Sequence, residues 1–238
     1  MESNLLISKV RKKLLTFRLK PIRVFCFHQV SDEFEPEKMW KCDWTQTKVF
    51  KNRVLELKKQ YIFVSLMEAY NHIVNDRFRV KNYAVLTADD GWESVRNIIP
   101  WLAEQGIPVT LFLNPLYMDG KHFQSRTTEE FLTREEVIEL TARYGAYVTI
   151  ASHGWSHLRC SKMSDDEFME NVQSAESELM DISGKIPFFA FPFGSYSMSN
   201  LVQLRKCQLV PVLIDGRENC QDTTCVHREN LCEKYSDE

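Results

Sequence analysis

Several features common in other protein classes are missing from this chain. No window approaches the run of ~20 apolar residues that a membrane-spanning helix requires. There is no basic excess: 30 Lys and Arg against 33 Asp and Glu leave a net charge of -3, which argues against a nucleic-acid binder. No repeat, low-complexity tract or linker interrupts the sequence, so solenoids and tandem domains are set aside. The start carries no continuous apolar stretch of the signal-peptide kind, because Arg11, Lys12 and Lys13 break it early. Close Cys-x-x-Cys pairs are also lacking. Cys220, Cys225 and Cys232 near the C-terminus do not have the spacing of a zinc knuckle and read as small residues of a peripheral tail. Seven cysteines are an odd number, which no monomeric disulfide scheme consumes completely, and with no secretion signal they point to reduced thiols in a cytoplasmic protein.

What is present describes an ordinary globular chain. Its 238 residues, 44% hydrophobic and 26% charged, suffice for one large domain with a full core. Residues 1–21 are expected to form a basic leader, and the stretch "SKVRKKLLTFRLKPIR", residues 8–23, carries seven Lys or Arg and no acid. That stretch is expected to be helical, solvated or in contact with an anionic membrane surface. Beyond it, apolar runs alternate with segments of helical periodicity. "RVFCFHQV", "YAVLT", "PVTLFLNP", "AYVTIASHG", "PFFAFPFG" and "LVPVLIDG" read as strands, the last of these as the final strand. Thr133 with Glu136, and Ser164 with Glu167, have the spacing of helix capping boxes. Strands separated by helices imply a parallel sheet. The organisation expected is a leader at 1–21, a single domain at 22–215 and a tail at 216–238 packing on or extending it.

Three strand ends carry the chemistry, and in parallel α/β folds strand ends are where reactive groups gather. "YAVLTADDG" runs straight from apolar residues into Asp89, Asp90 and Gly91. Adjacent carboxylates leaving a strand point in different directions, so one can face a metal and the other a water. "ASHGWSH" places His153 and His157 four residues apart. In a helical turn that spacing brings two imidazoles to one face, a ligand set suited to zinc or a similar ion. "FAFPFG" brackets Phe193 between Pro192 and Gly194, a tight turn able to present a backbone N–H to an oxyanion. Each signal has an ordinary structural explanation when taken alone. Together, at neighbouring strand ends, they favour a site.

In order and approximate spacing, "VLTADDG", "ASHGWSH" and "FAFPFG" resemble the polysaccharide deacetylase family of carbohydrate esterases. The resemblance covers residues 22 to 215. It implies a distorted (β/α) barrel of about seven parallel strands and removal of acetyl from an N-acetylated saccharide. It further implies a divalent metal, zinc foremost with cobalt, nickel or iron as alternatives. Carried over, Asp89 becomes the general base, and Asp90, His153 and His157 the metal ligands. Phe193 offers its backbone N–H to the oxyanion. Pro192 in the same turn, and Trp155, whose aromatic face could stack on a sugar ring, are expected to face the substrate. His28, ending the first strand as in a circularly permuted branch similar to poly-N-acetylglucosamine deacetylases, becomes the general acid, with His227 as its rival.

The chain departs from the family pattern at Ala88, Gly154 and Ala190. The third stands where many members carry an arginine that orients the base, so Asp89 is expected to lack that support. Two other functions stay open: a carbohydrate-binding protein that keeps the fold without turnover, and a metallohydrolase of another amide or ester. Acetate release from amino-sugar oligomers separates the first from an active enzyme, and substrate profiling the second. Trp92 is unassigned, and neither the saccharide nor the oligomeric state is legible.

Overall fold

The computed structural model describes residues 20–34, 43–76, 79–118, 131–184, 187–219 and 224–232. The expected leader helix and Cys220 lie outside them. Ten strands occur among the described residues: β1 (Ile22–Phe27), β2 (Gln29–Ser31), β3 (Trp44–Gln46), β4 (Ile62–Phe63), β5 (Tyr83–Ala88), β6 (Val109–Leu113), β7 (Val148–Ser152), β8 (Phe188–Ala190), β9 (Val210–Ile214) and β10 (Val226–Asn230). The helices are α1 (Thr47–Lys58), α2 (Leu66–Asn75), α3 (Val95–Glu104), α4 (Pro115–Met118), α5 (Arg134–Tyr144), α6 (Asp165–Ser183) and α7 (Met198–Lys206).

The sheet order runs β1, β10, β9, β8, β7, β6, β5, and β5 pairs back with β1 in parallel, Ile22 opposite Tyr83 and Phe27 opposite Ala88. Seven parallel strands thus close a distorted (β/α) barrel. Strands buried on both faces must be apolar throughout, which is why "YAVLTA" and "VTLFL" show no alternation and are almost wholly buried. β4 pairs with the first residues of β5, before β6 begins. β2 and β3 form a separate parallel pair beside the barrel mouth.

The helices follow their local signals. Thr133 and Ser164 cap α5 and α6 through complete capping boxes, each satisfying orphan N–H groups of the first turn. On α1, Phe50, Val54 and Leu57 face the core, while Val49, which shares the helical spacing, is exposed. A main core fills the barrel and the layer beneath α1 to α3. A second cluster around Phe168, Phe189, Phe191 and Leu204 joins α6 and α7 to the barrel wall.

One expectation is corrected here. "LVPVLIDG" is not the final strand: β10 follows it and lies between β9 and β1. Its "VHREN" is polar and short, so nothing in its apolar pattern marks a strand. It is held by the ladders on both sides.

Candidate active site and metal centre

The barrel mouth lies at the C-terminal ends of the strands. The Asp89 N–H donates to the Phe27 carbonyl (3.1 Å) and the His153 N–H to the Leu113 carbonyl (2.9 Å), so both residues are anchored as extensions of their strands. The next residue along β5 turns sharply. Asp90 has φ 70° and Gly91 φ 78°, and a Cβ on Gly91 would meet the Leu113 side chain at 2.8 Å. His157 (φ 47°) and Phe193 (φ 58°) also occupy the left-handed region, which costs non-glycine residues of order 1 kcal/mol or more each. Three of the four described non-glycine residues with positive φ therefore lie at this mouth.

His153 and His157 do converge, with ring centroids 5.2 Å apart, but a helical turn is not the cause. Residues 153–159 form an irregular loop, and the strained φ of His157 swings its ring back. Asn114, buried, holds the loop by donating to the carbonyls of His153 (2.6 Å) and Gly154 (2.9 Å). Asn171 on α6 accepts from the N–H groups of Trp155 (3.1 Å) and Ser156 (3.2 Å).

The three expected ligand atoms meet. Asp90 Oδ1 lies 3.3 Å from His153 Nε2 and 3.0 Å from His157 Nε2. It is buried yet has no well-aligned hydrogen bond, an arrangement that is costly unless something else binds that oxygen. His153 Nδ1 is 2.9 Å from the Ala190 carbonyl, and donating there leaves Nε2 with its lone pair turned to the cluster. Two nitrogens and one oxygen in this disposition fit a divalent metal with open positions for other ligands. Burial raises the Asp90 carboxyl, but the His157 and His153 rings outweigh it and hold it well below the usual carboxylate range. Burial likewise lowers the His157 imidazole, and Asp90 more than reverses that. The pull on a proton there is the same field a cation would feel.

Asp89 faces the other way. Arg228 of β10 grips it with two hydrogen bonds, Nη1 to Oδ1 at 2.6 Å and Nη2 to Oδ2 at 2.8 Å, and Nη1 also reaches the Thr87 hydroxyl at 3.1 Å. The guanidinium stacks over the Phe112 ring at 5.0 Å. Burial pushes Asp89 up, yet Arg228 outweighs it and keeps the carboxyl ionised below its ordinary range. The expectation that Asp89 lacks an orienting arginine is therefore wrong. Ala190 leaves that place empty, and Arg228, far away in sequence, fills the role. Trp92 also acquires a function: its buried indole N–H donates to Asp90 Oδ2 at 2.9 Å. At Gly154 the structure explains the missing side chain, since φ is 77° and a Cβ would meet the Asn171 amide at 2.7 Å.

Asp89, Asp90, His153, His157 and Arg228 line a cleft of about 340 Å³, with Cys26, His28, Asp43, Arg159, Phe193 and Cys232 along its walls, a volume in the range of small-ligand sites. His28 is in the cleft. His227 is not among the residues lining it. It precedes the inward-pointing Arg228 on a strand, where neighbours face opposite ways, and its Nδ1 is tied to Asp215 at 2.9 Å. Phe193 is half exposed, its ring against His157 (4.6 Å) and beneath the Arg159 guanidinium (4.5 Å). Two placements are corrected. Trp155 does not line this cleft but a neighbouring hollow against α6, because the Gly154 turn and Asn171 carry it outward. Pro192 is buried in its turn, supporting Phe193 rather than facing the cleft. Sequence reasoning missed Arg228, Asn114 and Asn171, none of which sits in a recognisable motif.

Among curated proteins no sequence matches this chain. Solved structures do match in fold. IcaB from Ammonifex degensii superposes with a TM-score of 0.75 at 18% identity, over 91% of this chain and 94% of that one. A de-N-acetylase from Aggregatibacter actinomycetemcomitans gives 0.74 at 16% identity, over 92% and 97%. The Streptococcus pyogenes deacetylase PplD gives 0.75 at 16%, over 88% and 92%. The family model described as polysaccharide deacetylase matches residues 78–212, more than half of the chain and the span that contains Asp89, Asp90, His153, His157 and the Phe193 turn. With the barrel closed and those side chains converging at its mouth, the chain belongs to the polysaccharide deacetylase family.

Proposed function

We propose that this protein is a metal-dependent hydrolase that removes acetyl groups from an N-acetylated amino sugar in a poly- or oligosaccharide. The observation that carries the reading is the convergence of Asp90 Oδ1, His153 Nε2 and His157 Nε2 within 3.0–3.3 Å of contact, beside a second carboxylate held by an arginine. Asp90, His153 and His157 would hold the ion, zinc first among candidates. When bound there, a divalent cation supplies Lewis-acid polarisation of an acetamide carbonyl and acidifies a water.

The remaining chemistry falls to the chain. Asp89, fixed by Arg228 and kept ionised, takes the proton of the attacking water. The Arg228 grip leaves its outer lone pairs to face the cleft and spares the base a reorientation during reaction. Phe193, whose positive φ turns the backbone at the rim, presents its N–H to the developing oxyanion. His28 hands a proton to the departing amine. A saccharide is favoured because the cleft is open, small and walled by polar groups, with aromatic carbon at Phe193.

The test is acetate release from N-acetylglucosamine oligomers. Turnover stops on chelation and returns with zinc. Asp89→Asn keeps the ion and loses about a thousandfold in kcat, the range expected for a lost general base. His153→Ala loses ion and turnover together. Protein that binds metal and oligosaccharide but releases no acetate supports a binding role instead, and full activity in both variants removes the assignment.

A further inference from the structure

A second set of donors lies in the same cleft and takes no part in the ligand cluster. Cys26 of β1 and His28, the residue just past its end, both line the cleft, and the parallel register sets Cys26 against Thr87 and Phe27 against Ala88, just before Asp89. A thiol sulfur, an imidazole nitrogen and an Asp89 carboxylate oxygen consequently lie within 4.8 Å of one another. We propose that Cys26, His28 and Asp89 form a second, inhibitory site for a soft divalent cation, zinc or cadmium. The inhibitory role rests on the deacetylase reading above; the binding site does not.

The donor set decides the class of ion. Sulfur with nitrogen and one carboxylate suits zinc and cadmium, and is poor for magnesium or calcium, which want oxygens. Cys26 is buried but borders the cleft, so an ion reaches it from the same opening as substrate. On binding, the sulfur–ion bond forms as the thiol proton leaves to solvent. Arg228 sets the order of filling. Its guanidinium grips both Asp89 oxygens and repels a cation placed beside them, whereas Asp90 Oδ1 has no such partner. The Asp90 cluster therefore fills first, and the Cys26 corner only at higher concentration. Occupancy there engages the proposed base and the proposed acid together, so turnover falls while the first ion stays in place.

The decisive measurement is cadmium titration of the zinc-loaded protein, following bound cadmium by mass spectrometry and the ultraviolet thiolate-to-cadmium absorption, with acetate release in parallel. Wild type is expected to take up one equivalent more than Cys26→Ala, with absorption that the variant lacks. Excess cation should lower acetate release about tenfold in wild type and less than about twofold in Cys26→Ala. Cys232→Ala, a thiol on the same cleft wall, should behave as wild type. Should Cys26→Ala fold poorly, Cys26→Ser keeps the volume without the soft donor and gives the same readout. Equal uptake and equal inhibition in wild type and both Cys26 variants overturn the proposal. If no saccharide yields acetate, the inhibitory role falls with the deacetylase reading, while uptake and absorption still decide the site.

Discussion

The most consequential side chain in this molecule is Arg228, buried at the barrel centre with both terminal nitrogens on Asp89. A bidentate pair removed from water is costly to form but costlier to break, since the survivor is left charged and unpaired. Arg228→Met is expected to destabilise the fold by about 3–5 kcal/mol in urea denaturation. Arg228→Lys keeps the charge but not the fork, and should retain more stability while turnover still drops. Trp92 acts more gently. Replacing it with Phe keeps an aromatic ring beside Phe131 (4.4 Å) but deletes the N–H on Asp90 and part of the buried packing. Competition with a chelator should show metal affinity weakened about tenfold to a hundredfold, together with a lower melting temperature from the lost packing.

At the scale of elements, the strained loops are held by the helices behind them. The amide of Asn171, on α6, organises residues 155 and 156 and leaves no room for a side chain at Gly154. Gly154→Ala is expected to cost about 1–3 kcal/mol and to reduce metal binding, because the loop that carries His157 must shift. The start of α6 is a capping box, and Ser164→Ala should lower stability by about 1 kcal/mol. The N–H and hydroxyl of Ser164 hold the Glu167 carboxylate below its ordinary value of 4.5. A carboxylate depressed in the folded state contributes fully above its unfolded pKa, and the contribution drains as pH falls through the folded value. Ser164→Ala keeps the backbone N–H and removes only the hydroxyl's share, so acid titration of wild type against the variant should show the stability difference narrowing, without vanishing, below pH 4.5.

For the whole molecule, closure of the barrel and assembly of the site are one event. β10 joins β9 to β1 and delivers Arg228. Ending the chain at Thr224 should leave two unpaired strand edges and a buried lone carboxylate, so the shortened protein is expected to aggregate or lose its cooperative unfolding transition. A soluble, cooperatively folding product would show that closure is dispensable.

Much of this was written locally. The buried strands, the capped helices and the acid–acid–glycine and histidine–histidine motifs depend on residues close together in the chain, where periodicity and backbone preference act directly. Asp89, Asp90, His153 and His157 stood out for that reason, whereas His28 was named only through the family resemblance. Tertiary structure decided the rest. It made a strand of the polar "VHREN" by pairing it on both sides, brought Arg228 to Asp89 across 139 positions, turned Trp155 out of the cleft and set the buried Trp92 behind Asp90. Such choices depend on which groups share a dry interior once the barrel has closed. Spacing along the chain carries no information about that.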